Sequence, residues 1–214
     1  MSRRKNEESM RETEYKDRLI LALRKKYAEK LSELESVGEN ILIEGKRIAL
    51  HREWLLGEKC SVLLPEILKD MGIVEASARY RRNNRPQIIK AEVNGDAALT
   101  FSLVPIKGSG LDAMDSMEKL QKIREDTKKI WKQNVFYDEG KVQAGQLEIA
   151  WMDLKAFCLN GSLYSLIFLF DIQEEIVLGN FHCGFRRYDV WKPIILKLLT
   201  TLQIQEENYE RLSD

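Results

Sequence analysis

Cysteine, histidine and proline are all scarce in this sequence: three, two and four residues in a chain of 214. The cysteines, Cys60, Cys158 and Cys183, are odd in number and far apart, with no CxxC pair. That excludes the usual spacing of a structural zinc site and fits a reducing compartment. The two histidines, His51 and His182, form neither HxH nor HxxxH, so no metal is expected. Net charge is lacking too. Lys plus Arg number 34 and Asp plus Glu number 34, which argues against a dedicated nucleic-acid binder. Long hydrophobic runs are missing as well. The longest, Leu163 to Phe170, is interrupted by Ser165 and is far below the roughly 20 residues of a spanning helix. The N-terminus has no apolar stretch of the kind a secretory signal requires. The expectation is a cytoplasmic chain with no membrane association and no cofactor.

Catalytic signatures are equally thin. No P-loop and no GxGxxG occurs, and Gly108-Ser109-Gly110 reads as a flexible lead into a helix. His182 and Cys183 are adjacent, which on a strand turns them to opposite faces. In a loop over Gly179–Phe185 that objection weakens. The acids show no spacing that singles out a pair for proton transfer or the register of a calcium loop.

Charge is abundant, at 32% of residues, and it is unevenly placed. In residues 1–38 nearly every second residue is charged, and Leu19, Leu23, Tyr27, Leu31 and Leu34 form a narrow stripe at helical spacing. Such a charged amphipathic helix can lie on its own domain or pair with another helix as a coiled coil. Homo-oligomerisation through that face is one expectation. Residues 39–204 read as a single α+β domain and 205–214 as a polar tail.

Within the domain, Ile41–Ile43 and Arg47–Leu56 flank a Glu44-Gly45-Lys46 turn. Lys59–Leu64 runs into Pro65, which is placed to start a short helix closed by Gly72. Asn94-Gly95-Asp96 marks a hairpin between Gln87–Val93 and Ala97–Val104, because Asn-Gly accepts the left-handed geometry of tight turns. Residues 108–134 carry a helical stripe from Met114 to Trp131. Leu147–Trp151, Asp153–Leu159 and Leu163–Ile172 suggest a three-strand meander turning at Asn160-Gly161, the last strand apolar on both faces. A final helix is expected over Val190–Leu202, capped by Asp189. The fold class is therefore α+β: an antiparallel sheet of six to seven strands, packed by a middle and a C-terminal helix.

The most specific local feature is the expected loop Ala78–Pro86, where Arg79, Arg81, Arg82 and Arg85 surround Tyr80. Arginine forks hold phosphates and carboxylates, and a tyrosine can stack on a base. The same side chains can instead fix the loop itself.

Tyr80, Arg85, Pro86, Gln87 and Ile89, followed by Phe181, Cys183, Trp191 and Pro193 near the last helix, resemble a group of uncharacterised bacterial proteins, mostly from Firmicutes. The group has Lys and Pro where this chain has Arg79 and Arg81. The order of elements over 40–204 also resembles the PsbP/DcrB-like α/β fold. That superfamily includes photosystem subunits, a Ran-binding import factor and chaperones for secretion effectors. The resemblance implies a non-catalytic adaptor or chaperone-like protein, linked to secretion in some relatives, with an unknown protein partner. Two alternatives stand beside it. One is a small-ligand binder or enzyme with a pocket near Arg85 and His182. The other is a weak nucleic-acid binder through residues 79–85.

Overall fold

A computed structural model describes residues 38–80, 85–158 and 161–205. They belong to one unit, Val37–Asp214. The Leu19–Leu34 stripe lies outside the described residues, as do Arg81, Arg82 and residues 206–214.

The expected hairpin at the start is present: β1 (Asn40–Ile43) pairs antiparallel with β2 (Lys46–Leu55). β2 then pairs with β3 (Cys60–Pro65). Pro65 starts no helix; it ends β3, opposite Leu50. After a tight turn, Lys69–Asp70 forms the short strand β4, and the helix expected over 65–72 lies instead at Ile73–Arg79, here α1. Pro tolerates a strand end as well as a first helical turn, so its presence does not discriminate. Arg79 is consequently the last residue of a helix and not part of a loop.

β5 (Ile88–Ala91) and β6 (Ala97–Pro105) form the Asn-Gly hairpin, with Gly95 at φ +68°. Helix α2 (Ser116–Ile130) begins later than the sequence stripe suggests. Its start is set by a capping box in which the Asp115 side chain accepts from the Glu118 backbone N–H and Glu118 reciprocates. β7 (Val135–Ala144), β8 (Leu147–Cys158), β9 (Gly161–Ile172) and β10 (Glu175–Gly184) follow as one antiparallel meander. β8 runs without a break through Met152, so the two strands expected at 147–159 are one. The segment at Gly179–Gly184 is strand, not loop. Helix α3 (Tyr188–Leu199) has Arg187 at its N-cap with no side-chain cap, so Asp189 lies within the first turn and does not cap it. β11 (Gln203–Ile204) closes on β3.

Two antiparallel sheets result, in the orders β4-β5-β6-β10-β9-β8-β7 and β1-β2-β3-β11. β9 and β10 are central and buried on both faces. On one face Leu120 of α2 packs with Ala150, Met152, Leu169 and Ile176. On the other, Phe101 meets Phe168 edge-on at 5.7 Å and Trp191 of α3 lies 5.0 Å from Phe181. Phe168 lies directly over Gly179, where a Cβ would come within 2.0 Å of the ring. Any larger residue would push that ring out of the core.

Nearly all of α3 is buried, so its one lysine in the middle must be neutralised. Lys192 sits 2.6 Å from Asp153, which is 2% exposed. The Tyr164 hydroxyl and the Asp138 backbone N–H donate to the same carboxylate at 3.0 and 2.8 Å. Removing one partner of a buried pair strands the other charge. Asp153→Ala is therefore expected to cost about 3–5 kcal/mol in urea unfolding. The double change Asp153→Leu with Lys192→Met is expected to recover most of that loss.

Candidate functional site

The residues singled out by sequence do not all come together. Arg79 donates to the Gly95 carbonyl at 2.7 Å and pairs with Glu75 at 3.0 Å, so its guanidinium ties α1 to the β5–β6 turn. Arg85 Nε donates to the Tyr80 carbonyl at 3.2 Å. Tyr80 Oη and His182 Nε2 are 3.4 Å apart, with their rings edge to face. Tyr80, Arg85 and His182 thus share one neighbourhood. Cys183 does not join it, since it follows His182 on β10 and points through the sheet to the opposite, buried side.

The chemistry of these groups follows from their surroundings. Desolvation, helped by the Arg79 charge, pushes His182 down to about 4, so the ring is neutral at ordinary pH. Burial raises the Tyr80 phenol, a rise that Arg79 partly opposes. Burial also pushes the Cys60 thiol up to about 11 and the Cys183 thiol up to about 12. Both remain thiols, whereas a nucleophile requires thiolate. Among the described residues no three His, Cys, Asp or Glu are grouped to hold a metal ion. No helix there is long and apolar enough to cross a membrane.

A cleft of about 1330 Å³ runs between the two sheets, lined by β2, the β3–β4 turn, β5 and Arg187. Its innermost charges are matched to one another. Lys90, 6% exposed, bridges Glu53 of the small sheet at 2.6 Å and Asp70 at 2.9 Å, and His51 Nε2 meets Glu53 at 2.9 Å. Desolvation pushes Glu53 up, but hydrogen bonds from Lys90 and His51 outweigh it and hold the carboxyl below its usual value. Desolvation likewise pushes Lys90 down, and its two acids more than restore it. At the other end Arg187 makes a bidentate pair with Glu92 at 2.6 and 2.9 Å and reaches Glu44 at 2.6 Å. Both clusters link one sheet to the other, so the cleft is a charged seam whose innermost donors are spent on the fold.

The surface that remains unspent is not marked by sequence reasoning. Beside the start of α3, Tyr137 of β7, Phe157 of β8, and Phe185 and Tyr188 from the turn into α3 form a patch of rings. Tyr137 is 50% exposed and Phe157 46%. Phe185 stacks on Tyr188 at 5.1 Å with planes 11° apart, and lies 6.1 Å from Tyr137. Tyr188 in turn packs 5.8 Å from Tyr164. Lys155 stands in the middle, its ammonium 4.4 Å from the Phe185 centroid and 5.1 Å from that of Phe157. Val135, 43% exposed, is directly opposite Lys155 across the β7–β8 ladder. The rings come from three separate segments of the sequence, and no local pattern marks them as a group. The group becomes visible only once β7 and the Phe185–Arg187 turn are known.

The architecture is a PsbP-like α+β fold. The solution structure of cyanobacterial PsbP from Synechocystis matches with a TM-score of 0.55 at 9% identity, over 81% of this chain and 99% of that one. A protein of unknown function from Pseudomonas aeruginosa, described as a putative regulator, gives a TM-score of 0.46 at 7% identity, over 73% of this chain and 98% of that one. A protein from Bacteroides thetaiotaomicron gives 0.47 at 10% identity, over 73% of this chain and 48% of that one, so the chain spans about half its length. At such identities the likeness speaks for fold and not for activity. No family model matches the sequence, and no curated protein does.

The neutral His182 makes stability depend on pH. Its folded value, about 4, lies below the ordinary 6.5, so the unfolded chain binds the extra proton between those values. Its contribution is complete above pH 6.5 and is lost as pH falls to 4, by about 3 kcal/mol in all. Unfolding of His182→Gln, followed at a series of pH values, is expected to lose about 3 kcal/mol less than the parent over that interval.

Proposed function

We propose that this protein is a non-catalytic protein-binding module of the adaptor or chaperone-like kind, and that its partner docks on the ring patch around Lys155. The observation that carries the reading is that patch itself. Phe185 packs on Tyr188 and Tyr137, Lys155 joins Phe185 to Phe157, and the rings of Tyr137 and Phe157 remain about half exposed. Aromatic side chains held rigid in advance give large contact area for little lost freedom, which is the composition of interface hot spots. The state of the reactive groups supports the same reading. The buried thiols are held protonated, and His182 faces a tyrosine in place of a nucleophile. The innermost cations of the inter-sheet seam, Lys90 and Arg187, are paired within it. The PsbP-like fold and the motif likeness to uncharacterised Firmicutes proteins are in keeping with a binding role.

Photocrosslinking tests this directly. A benzoylphenylalanine at position 157, introduced in cells, is expected to give a discrete adduct with another protein. The same probe at Trp54, exposed on the small sheet, is expected to give none. Tyr137→Ala should lower the adduct yield by about tenfold, as loss of a hot-spot ring does. A probe at 157 that yields no protein adduct, or a yield indifferent to Tyr137→Ala, refutes the reading.

A further inference from the structure

The ring patch carries unmatched charge of one sign, and this restricts what can dock there. Lys155, near the end of β8, lies against Phe157 and Phe185, and among the described residues it makes no ion pair with a carboxylate. Arg186, exposed in the turn that supplies Phe185, likewise has no acidic partner among those residues. The acids beneath the patch are already engaged: Asp153 and Asp138 both face Lys192, at 2.6 and 3.5 Å. The charges left without a partner at the patch are therefore cationic, and Lys155 is set among apolar rings that shed water when covered.

A cation resting on ring faces gains some attraction from them, but it retains all its hydrogen-bonding capacity toward an incoming anion. Covering it with an apolar or basic partner would bury an uncompensated charge, at a cost well beyond what packing on the rings returns. Covering it with a carboxylate converts that penalty into a charge-assisted hydrogen bond in a site partly screened from water. The exposed rings of Tyr137 and Phe157 and the side chain of Val135 demand apolar contact at the same time.

Resting on the reading that this patch is a protein-docking surface, we infer that its occupant is an acidic peptide segment of a partner protein, with an aromatic or large aliphatic side chain seated on Phe157 and Tyr137 and a neighbouring carboxylate on Lys155. A nucleic acid is the less favoured occupant. Two cations are too few to follow a phosphate backbone, and the chain as a whole has no net positive charge.

The test uses the full-length chain and a random peptide library displayed on phage, with the recovered peptides synthesised and their binding followed by fluorescence anisotropy. The expected result is enrichment of sequences in which Asp or Glu adjoins an aromatic or large aliphatic residue. Binding of these peptides should weaken by about tenfold in Lys155→Glu, remain within about twofold in Lys155→Arg, and fall steeply with added salt. Selection on Lys155→Glu should switch the enriched charge to basic. Peptides that need Tyr137 but are uncharged or basic, and are indifferent to Lys155→Glu, would overturn the acidic specificity and leave the docking surface standing. Peptides indifferent to both Tyr137→Ala and Lys155→Glu would overturn both. Salt-sensitive binding of oligothymidylate that depends on Lys155 and displaces the peptides would also overturn the inference.

Discussion

One buried carboxylate organises much of this molecule. Asp153 sits on β8 between the meander and α3, and three elements converge on it: α3 through Lys192, β9 through the Tyr164 hydroxyl, and β7 through the backbone N–H of Asp138. A helix buried on nearly all sides has no polar flank to fix its rotation, so an ion pair at one point along it selects one orientation. That orientation carries Tyr188 to Tyr164 and Phe185 to Tyr137. The surface patch is in this sense an extension of the core: Phe185 and Tyr188 meet the rings of the sheet where the Lys192 pair fixes α3.

The two ion clusters of the seam play a comparable part elsewhere. Lys90 with Glu53, and Arg187 with Glu92 and Glu44, join the two sheets. Arg187 belongs to the same short turn as Phe185 and Arg186. The seam and the patch are therefore anchored by consecutive residues, one facing into the protein and the others facing out. The PsbP-like framework accommodates both, with rigid strands supporting a surface on one side and a charged junction on the other.

Much of the fold is legible in the sequence because it rests on local chemistry. The Asn94-Gly95 turn, the two-faced apolar run of β9 and the broad stripe of α3 each point to one structure whatever surrounds them. The failures share a different cause. Pro65 suits a helix start and a strand end equally, and only the pairing with β2 decides. β7 is hidden because its ladder breaks between Phe136 and Glu139, which disturbs the alternation that would reveal a strand. Gly179 to Gly184 reads as a loop because glycine is rare in strands, yet Gly179 is there to receive the Phe168 ring from the next strand. The candidate site is less legible still. Arg79 stands out for its charge, which it uses to hold a turn. Tyr137, Phe157 and Phe185 escape notice because they are far apart in sequence and only the sheet gathers them.

The irregularity in β7 also bears on how the large sheet is guarded against edge-to-edge growth. A seven-stranded sheet has two open margins, and each is a template onto which a second chain could add without limit. Here one margin, β4, is two residues long, and the other is kinked and studded with Asp138, Glu139 and Lys141. Neither offers the flat, uncharged ribbon that fibrillar stacking needs. The molecule can therefore leave sticky rings uncovered on its surface while its sheet resists growing into a polymer.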